Sequence, residues 1–413
     1  MTILEREEKH SGTKSVTNWP KVVLDNLVDR LTNGYVGPTR DLYQEEGVPY
    51  LLARHVKANH LFFDGKTYVT QEFNAKHKKS ILKTGDVLLV QSGHIGESAV
   101  VPPEHEGHNC HAMIVITPKH DLLDGKYLSR FFSSYIGKAE FQRIQTGITL
   151  KHLNCRDVKK IEIPLPPIEE QRRIAAILDK ADAVRRKRKE AIALTEELLR
   201  SVFLDMFGDP VTNPKEWENR KLADFAEIQS GIAKGKKNDA SQAVSVPYMR
   251  VANVQDGYVD LSEIKELQVR QIDAEKYALK KSDVLLTEGG DPDKLGRGAV
   301  WYGQIEPCIH QNHVFCVRPD YSVAEPEYLS AIIGSEYGKR YFLRAAKQTT
   351  GIATINKTQL KNFPALLPPI ALQGKYVQTL EQIRRLRQRT EAKVNESDKL
   401  FNSLLQRAFR GEL

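Results

Sequence analysis

One stretch of the sequence occurs twice: YLSRFFSSYIGK at residues 127–138 returns as YLSAIIGSEYGK at residues 328–339, with six identities in twelve positions. Another match follows each copy at a similar distance, because LPPI at residues 165–168 returns at residues 367–370. A period of this length indicates a duplicated domain with a linker rather than a solenoid of short repeats.

Matches on the other side of this stretch keep the same register. GDVLL at residues 85–89 returns as SDVLL in the second half. The offset between matching residues runs only from 197, for Gly34 and Gly231, to 204, for Thr146 and Thr350. Chance similarity does not hold so many matches in order, and the chain is therefore an internal repeat.

Each repeat begins with a mixed segment of about 150 residues and ends at a Pro-Pro pair. Short runs of β-branched and aromatic residues, separated by Gly, Asn, Asp and Pro turns, predict strands in the mixed segment. The clearest predicted strands are residues 86–90, 112–116, 284–287 and 314–317.

A long helical segment follows each Pro-Pro pair. Residues 168–207 contain no proline and no glycine, and apolar residues recur at steps of three and four in both segments. Forty residues of helix span about 60 Å, and Gly208 and Gly411 are placed to end the two helices. Neither helix has a globular shell of its own, so each apolar seam is expected to face the other. The predicted seams are Ile174, Ile177, Ala181, Val184, Ala191, Leu198 and Val202, and Leu380, Ile383, Leu386, Val394, Phe401, Leu404 and Ala408.

The composition predicts a soluble, cytoplasmic protein. No apolar stretch approaches the roughly 20 residues of a membrane span, the N-terminus is acidic, and none of the four cysteines forms a Cys-x-x-Cys pair. Lys and Arg number 61 against 53 for Asp and Glu, which gives a net charge of +8. This mild basic excess suits a polyanionic partner but does not by itself identify one.

Two non-identical domains on a rigid spacer can touch two places at a fixed separation. One turn of B-DNA rises about 34 Å, so a spacer of this length suits two short DNA segments. The scaffold segments of the repeats match while several loop segments differ. Two different sequences would be read by such loops.

The boundary PLPPIEEQRRIA at residues 164–175 resembles the boundary motif of the specificity subunits of type I restriction–modification systems. The duplication, the Thr-Gly-Ile before each boundary and the two long helices resemble that family as well, from about Trp19 to Leu413. The second boundary keeps the prolines and Gln373 but lacks the acidic pair.

The resemblance implies an α+β fold with a pseudo-twofold repeat, in which two similar target recognition domains are separated by two long antiparallel helices that form a coiled coil. The corresponding domains are a tail at residues 1–18, recognition domains at 19–167 and 209–369, and spacer helices at 168–208 and 370–413.

The resemblance also implies a function. The chain would read the two halves of a bipartite, asymmetric DNA site and position two adenine methyltransferase (modification) subunits and the restriction subunits. It would hold no cofactor itself, with S-adenosylmethionine, ATP and Mg expected on the partner subunits. Two alternatives stay open: a coiled-coil scaffold whose duplicated domains bind protein partners, and a self-sufficient methyltransferase or nuclease.

The residues themselves predict no catalytic site. Adenine methyltransferases carry Pro-Pro followed by Tyr or Phe, whereas Ile168 and Ile370 follow the Pro-Pro pairs here. The quartet at residues 291–294 resembles a nuclease carboxylate cluster but is typical of a turn. A zinc site built from His108, Cys110 and His111 would need a fourth ligand such as Cys155. The group Cys308, His310 and His313 repeats the pattern, and a buried Cys beside polar side chains is the preferred interpretation.

The candidate DNA contacts are polar loop residues at matched positions where the repeats differ. Arg and Lys pair with guanine edges, Asn and Gln pair with adenine, and Ser and Thr bind phosphates. The candidates of the first repeat are Arg54, His55, Lys57, Gln91, Ser92, His94, Asn109, His111, Thr149 and Lys151. Those of the second repeat are Arg250, Asn253, Glu288, Arg297, Gln311, Asn312, His313, Thr354 and Lys357.

Overall fold

A computed structural model of the protein describes residues 19–39, 41–147, 151–233, 243–291, 295–349 and 352–413. The predicted tail at residues 1–18 and the candidate Thr149 therefore lie outside the described residues. So do parts of the two Thr-Gly-Ile segments and of the quartet at residues 291–294. The described chain divides into unit 1, formed within residues 1–190 and 391–413, and unit 2, formed within residues 191–390.

Unit 1 is a mixed domain of short strands and helices. Its strands are β1 (Lys21–Val23), β2 (Val28–Asn33), β3 (Val48–Leu51), β4 (Val56–Lys57), β5 (His60–Leu61), β6 (Tyr68–Val69), β7 (Val87–Val90), β8 (Ser98–Val100), β9 (Asn109–Cys110), β10 (Met113–Pro118) and β11 (Glu162–Pro164). Its helices are α1 (Gln71–Lys76), α2 (Gly125–Ser133), α3 (Tyr135–Ile144), α4 (Cys155–Val158), the first part of α5 (Ile168–Phe207) and the last part of the second long helix, α10 (Ile370–Phe409).

The central sheet of unit 1 is antiparallel, in the order β2-β10-β7-β8. All four residues of β7 are buried, because the sheet is covered on both faces. Val87 and Leu89 pack into the cluster that contains Phe131 of α2, and Leu88 and Val90 pack into a second cluster on the opposite face. A smaller sheet, β6-β3-β9, contains the parallel pair β3–β9.

Unit 2 repeats this plan. Its strands are β12 (Glu218–Lys221), β13 (Ala226–Ser230), β14 (Ala243–Met249), β15 (Lys265–Arg270), β16 (Val284–Thr287), β17 (Gly289–Gly290), β18 (Gly298–Val300), β19 (Ile309–His310), β20 (Val314–Pro319), β21 (Lys347–Thr349), β22 (Ile352–Thr354) and β23 (Pro364–Leu367). Its helices are the last part of α5, then α6 (Gln271–Lys276), α7 (Pro326–Gly334), α8 (Glu336–Ala345), α9 (Lys357–Lys361) and the first part of α10 (Ile370–Phe409).

The central sheet of unit 2 has the order β13-β20-β16-β18, and its smaller sheet has the order β15-β14-β19 with a parallel β14–β19 pair. Each strand occupies the place of its counterpart in unit 1, which confirms the internal repeat. Unit 2 also has a three-stranded sheet, β17-β22-β21, that has no counterpart among the described strands of unit 1. The four strands predicted most clearly from the sequence correspond to β7, β10, β16 and β20 and are confirmed.

The two long helices run antiparallel within each unit. In unit 1, Arg173 of α5 donates to the carbonyl of Leu413 at 3.1 Å, and Arg185 lies 3.6 Å from Asp398 of α10. In unit 2, Glu196 pairs with Arg387 at 3.1 Å.

Further toward the end of α5, Phe203 packs edge-on against Tyr376 of α10, with 5.8 Å between the ring centroids. The predicted α+β fold with two similar domains and two paired helices is confirmed, and the use of the helices as spacers stays a prediction. No helix in the described ranges is long and apolar enough to cross a membrane.

The predicted helix seam is wrong in its middle. Val184, Leu198 and Leu386 are 48%, 44% and 54% exposed, whereas Asp182 and Thr195 of α5 are buried. A polar residue can face inward when its partners are buried with it, and Asp182 forms ion pairs with Arg130 of α2 and with Arg185 of α5. A prediction based only on apolar periodicity does not detect such a face.

Candidate DNA interface

An open cleft of about 360 Å³ lies at the end of β16 in unit 2. It brings together Glu288, His313 and Thr354, three of the candidate DNA contacts, from segments that are far apart in the sequence. The residues that line the cleft are Val251, Glu288, Gly289, Gly290, Asp291, His313 and Thr354.

The backbone holds the cleft in place. Gly289 of β17 pairs with Thr354 of β22, and a Cβ atom added to Gly289 would lie 2.6 Å from Cγ2 of Thr354 and 2.9 Å from the carbonyl oxygen of Ala353. Only glycine fits this close approach of two strands. The N–H of Glu288 donates to the carbonyl of His313 at 3.0 Å, and the N–H of Ile355 donates to the carbonyl of Glu288 at 2.8 Å.

A carboxylate and a guanidinium group lie at or near the cleft, on Glu288 and on Arg297. Oε2 of Glu288 contacts Nδ1 of His313, whose side chain is 55% exposed. The guanidinium of Arg297, another candidate, is half-buried and donates to Oε1 of Gln255 at 3.1 Å and to the carbonyl of Val251 at 3.5 Å. An acceptor therefore lies in the cleft and a cation lies against one of its lining residues.

The same edge of unit 1 gathers a different set of candidates. Ser92 and Thr146 each form a bridge to His152, and the N–H of Leu153 donates to the carbonyl of Gln91 at 2.8 Å. This last bond matches the one between Ile355 and Glu288 in unit 2. Ser92, His94 and Lys151 are exposed on this edge. In both units, therefore, the end of the strand Asp-Val-Leu-Leu meets the segment that follows Thr-Gly-Ile.

Four candidates are buried and do not reach the surface. They are His55, Gln91, Asn109 and Asn253, each at most 3% exposed. The amide of Asn109 donates to Oδ1 of Asn74 at 3.0 Å, and the amide of Asn253 donates to the carbonyl of Asp260 at 2.9 Å. The polar groups of His55, Asn109 and Asn253 hold turns of the chain, whereas Oε1 of Gln91 has no hydrogen-bond partner among the described residues. Because all four are buried, the proposed interface does not include them.

His55 illustrates why a polar loop residue can be structural. Its Nδ1 atom accepts a hydrogen bond from the N–H of Leu52 at 3.1 Å, and Nε2 lies 3.1 Å from Asp64. Burial of the ring, together with the neighbouring charge of Arg54, lowers the pKa of His55 despite the contact with Asp64. A neutral, buried imidazole with both nitrogens engaged stabilises the turn.

The remaining candidates belong neither to the two edges described above nor to the set of four buried residues. Arg54 is exposed and pairs with Asp64 at 3.2 Å. The side chain of Arg250 is only 16% exposed and donates to the carbonyl of Glu263 at 2.8 Å. The exposed candidates outside the two edges already described are Lys57 and Lys357, and the half-buried ones are His111, Gln311 and Asn312.

The cysteines of the two suggested zinc groups are buried. Burial raises the pKa of the Cys110 thiol and of the Cys308 thiol to about 12, so both are protonated, buried side chains in this structure. Cys155 contacts Asn33 at 3.0 Å. Across the described ranges, no group of three or more His, Cys, Asp or Glu residues could hold a metal ion.

Several edge residues were not predicted from the sequence. They are His152 in unit 1 and Gln255, Gly289, Gly290, Asp291 and Lys347 in unit 2. Lys347 reaches this edge because β21 pairs it with Thr354. The double glycine was the one visible signal, since adjacent glycines after a strand often mark a close backbone approach.

Comparison with protein families gives one match in each half of the chain. A family model described as "Type I restriction modification DNA specificity domain" matches residues 17–194 and 214–397. The type I restriction enzyme EcoKI specificity subunit of Escherichia coli strain K12 is 25% identical over 321 residues, which cover 72% of this chain and 68% of that protein.

Two solved structures share the fold. One, from a study titled "Structural basis underlying complex assembly and conformational transition of the type I R-M system", has a TM-score of 0.58 at 19% identity and covers 97% of this chain and 100% of that one. The other, the S subunit of a type I restriction–modification system from M. genitalium, has a TM-score of 0.56 at 15% identity and covers 96% and 97%.

Proposed function

Because the chain belongs to the type I restriction modification DNA specificity family, we propose that each of its two units reads one half of a bipartite, asymmetric DNA site. Within this family the chain is the non-catalytic, sequence-specific DNA-recognition subunit of a type I restriction–modification system. It binds DNA and assembles with methyltransferase and restriction subunits.

One observation carries the proposal of two half-sites. The central sheets of the two units have the same strand order, whereas the edges that follow β7 and β16 carry different side chains. Unit 1 presents Ser92, His94 and Lys151, and unit 2 presents Glu288 and His313 over the glycines of β17. A shared scaffold with two different polar edges is what reading two different short sequences requires.

The finer composition of the complex is also part of the proposal. We expect two methyltransferase subunits for each chain, since two half-sites offer two target adenines. We also expect S-adenosylmethionine, ATP and Mg to bind the partner subunits and the complex to work in the cytoplasm. The chain itself would determine which DNA sequence the complex recognises.

Mapping of N6-methyladenine across the host genome, with the gene intact and deleted, tests the proposal. We expect methylation at one gapped, two-part motif to disappear on deletion and to return on complementation. Methylation that is unchanged while the partner methyltransferase is present would contradict the proposal. Binding of purified chain to DNA should also weaken steeply with salt, because phosphate contacts release counterions, whereas a protein scaffold would show no such binding.

A further inference from the structure

The cleft of unit 2 contains a hydrogen-bond acceptor that a ligand can reach. The Glu288 side chain is 29% exposed, and its backbone is held on both sides by the bonds to His313 and Ile355. An ionised carboxylate offers about four acceptor positions, and the contact with His313 uses one of them. The carboxylate is thus fixed in position while it can accept further hydrogen bonds.

His313 is placed to orient this carboxylate. Its Nδ1 atom faces Oε2 of Glu288, and Nδ2 of Asn312 lies 3.2 Å from its Nε2 atom. Since the Asn312 amide can only donate through Nδ2, the ring accepts at Nε2 and donates from Nδ1 to Glu288. The imidazole is therefore a positioning group, and the acceptor in the cleft is the carboxylate.

The shape and rim of the cleft indicate what kind of group it takes. The backbone of Gly289 and Gly290 lines it without side chains, and its volume of about 360 Å³ admits a small planar group. Lys347 lies opposite Thr354 in the register of β21 and β22, so both side chains are on the same face, with Cβ atoms about 5 Å apart. Lys347 is exposed, which places a cation beside Thr354 at the rim of the cleft.

An acceptor inside the cleft and a cation beside it match the chemistry of duplex DNA. In the major groove, adenine N6 and cytosine N4 present amino donors, and carboxylates accept from such groups. The phosphates beside a base attract a lysine. A free anion would instead be repelled by Glu288, and no group of metal ligands is present among the described residues.

We propose that Glu288 reads the exocyclic amino group of one adenine or cytosine in the half-site of unit 2, with His313 as its positioning residue. This inference rests on the proposed function and names the chemistry that unit 2 recognises. Unit 1 lacks the same reader, because the matched residue Gln91 is buried at 2% exposure. We therefore expect this recognition of an amino group in one half of the DNA site and not in the other.

Binding of the full chain to duplexes that each lack one amino group tests the proposal. Purine replaces each adenine in turn, and pyrimidin-2-one replaces each cytosine, across both half-sites of the methylated motif. For the native chain, one position in one half should lose affinity by about 5- to 150-fold, the equivalent of the 1–3 kcal/mol typical of a specific base contact. Which analogue gives the loss distinguishes adenine from cytosine.

The variants connect this position to the carboxylate. In the Glu288→Ala chain, the loss of affinity caused by the missing amino group should fall to within about twofold, because this variant no longer has the carboxylate that accepts from the amino group. Glu288→Gln should shift the preference toward adenine, which an amide pairs with bidentately. Glu275→Ala, which removes an exposed carboxylate of α6, is the matched control and should keep the native penalty.

Retained affinity for the other half-site shows that each variant is folded. A penalty that persists in both Glu288 variants overturns the inference, as does a native chain that is insensitive to every amino deletion while still selecting its gapped motif. A native chain with no sequence preference at all contradicts the proposed function instead, and the two failures are therefore distinguishable.

Discussion

The side-chain oxygen of Gln171 accepts a hydrogen bond from the backbone N–H of Asp124, 2.9 Å away. The amide nitrogen of Gln171 donates to the carbonyls of Leu122 and Pro166, each at 2.9 Å. The residue is completely buried. One side chain at the start of α5 thus joins the Pro-Pro boundary to the segment that begins α2.

Gln373 makes the same three bonds in unit 2. Its oxygen accepts from the N–H of Glu325 at 2.9 Å, and its nitrogen donates to Val323 at 3.1 Å and to Pro368 at 2.8 Å. The acidic pair found only at the first boundary is different, because Glu169 is exposed and pairs with Arg172 on the helix surface. The second repeat can lose the acids but keeps the glutamine.

Replacement of either glutamine should therefore destabilise the fold. Gln171→Ala leaves one backbone donor and two acceptors without partners, and each unsatisfied buried group costs about 1–3 kcal/mol. We expect a clear fall in the midpoint of thermal unfolding for Gln171→Ala and for Gln373→Ala. Gln142→Ala, at an exposed position of α3, should change it little. Equal midpoints for all three variants would contradict the explanation.

Gly137 and Gly338 explain the glycine that the repeated stretch keeps. A Cβ atom at Gly137 would lie 2.2 Å from the carbonyl oxygen of Phe131, and at Gly338 it would lie 2.0 Å from that of Ile333. Ala normally stabilises a helix over Gly by about 1 kcal/mol, but Gly137→Ala should destabilise because backbone must move. Gly374→Ala in α10, where the added atom would meet only Oε1 of Glu325 at 3.9 Å, should stabilise. Thermal unfolding of the two variants tests whether their midpoints shift in opposite directions.

Asp182 should make the stability of unit 1 depend on acidity. Burial alone would raise its pKa, but the hydrogen bond from His60 and the charges of Arg130 and Arg185 hold the pKa well below its usual range. Since the unfolded carboxyl has a pKa near 3.9, the ionised network stabilises the fold above that value. The stabilisation is lost as the pH falls through the lower, folded pKa.

Asp182→Asn should therefore lower the free energy of unfolding at pH 7 by about 3–5 kcal/mol, as expected when a buried ion pair loses one partner. The difference from the native chain should shrink below about pH 5. Denaturant unfolding at several pH values measures it. Asp25→Asn removes an exposed carboxylate that pairs with Lys159 and should cost at most about 1 kcal/mol. A pH-independent difference for Asp182→Asn would count against the ionised network.

Lys151 is exposed at the edge of unit 1, and we expect it to contact a phosphate. Lys151→Ala should weaken binding to cognate and random DNA by the same factor and reduce the slope of log affinity against log salt by about 1. Titrations at several salt concentrations provide the measurement, with Lys375→Ala on α10 as the control. A loss confined to one base pair of the motif would instead make Lys151 a base contact.

The fold was largely predictable because residues that stabilise the scaffold are identical in the two repeats. Asp86 and Asp283 match in the two copies since each is fully buried and paired with an arginine of the same central sheet, Arg30 of β2 and Arg318 of β20 respectively. Identities of this kind survive in both halves and mark the scaffold. The length of α5 followed from the absence of helix breakers and from Gly208, whose φ of +78° ends the helix.

The candidate site was harder to predict because exposure is decided by tertiary contacts. His55 and Asn253 have the residue types of DNA readers, and only the structure shows that both are buried. His152 and Lys347 reach the edge through strand pairing, which the sequence does not specify locally. The divergence of the loops pointed to the two edges that we propose as the interface, whereas the exposure of individual side chains follows only from the folded structure.

The differing edges follow the shared strands directly: Ser92 lies two residues after the end of β7, and Glu288 lies one residue after the end of β16. Substitutions in these short segments leave the buried aspartates, glycines and glutamines of the scaffold untouched. Mutations in these segments can therefore change the sequence recognised in one half of the DNA site, while recognition of the other half and the folding of the chain are preserved. Such a protein can acquire new recognition sequences by small steps, each of which passes through a folded intermediate.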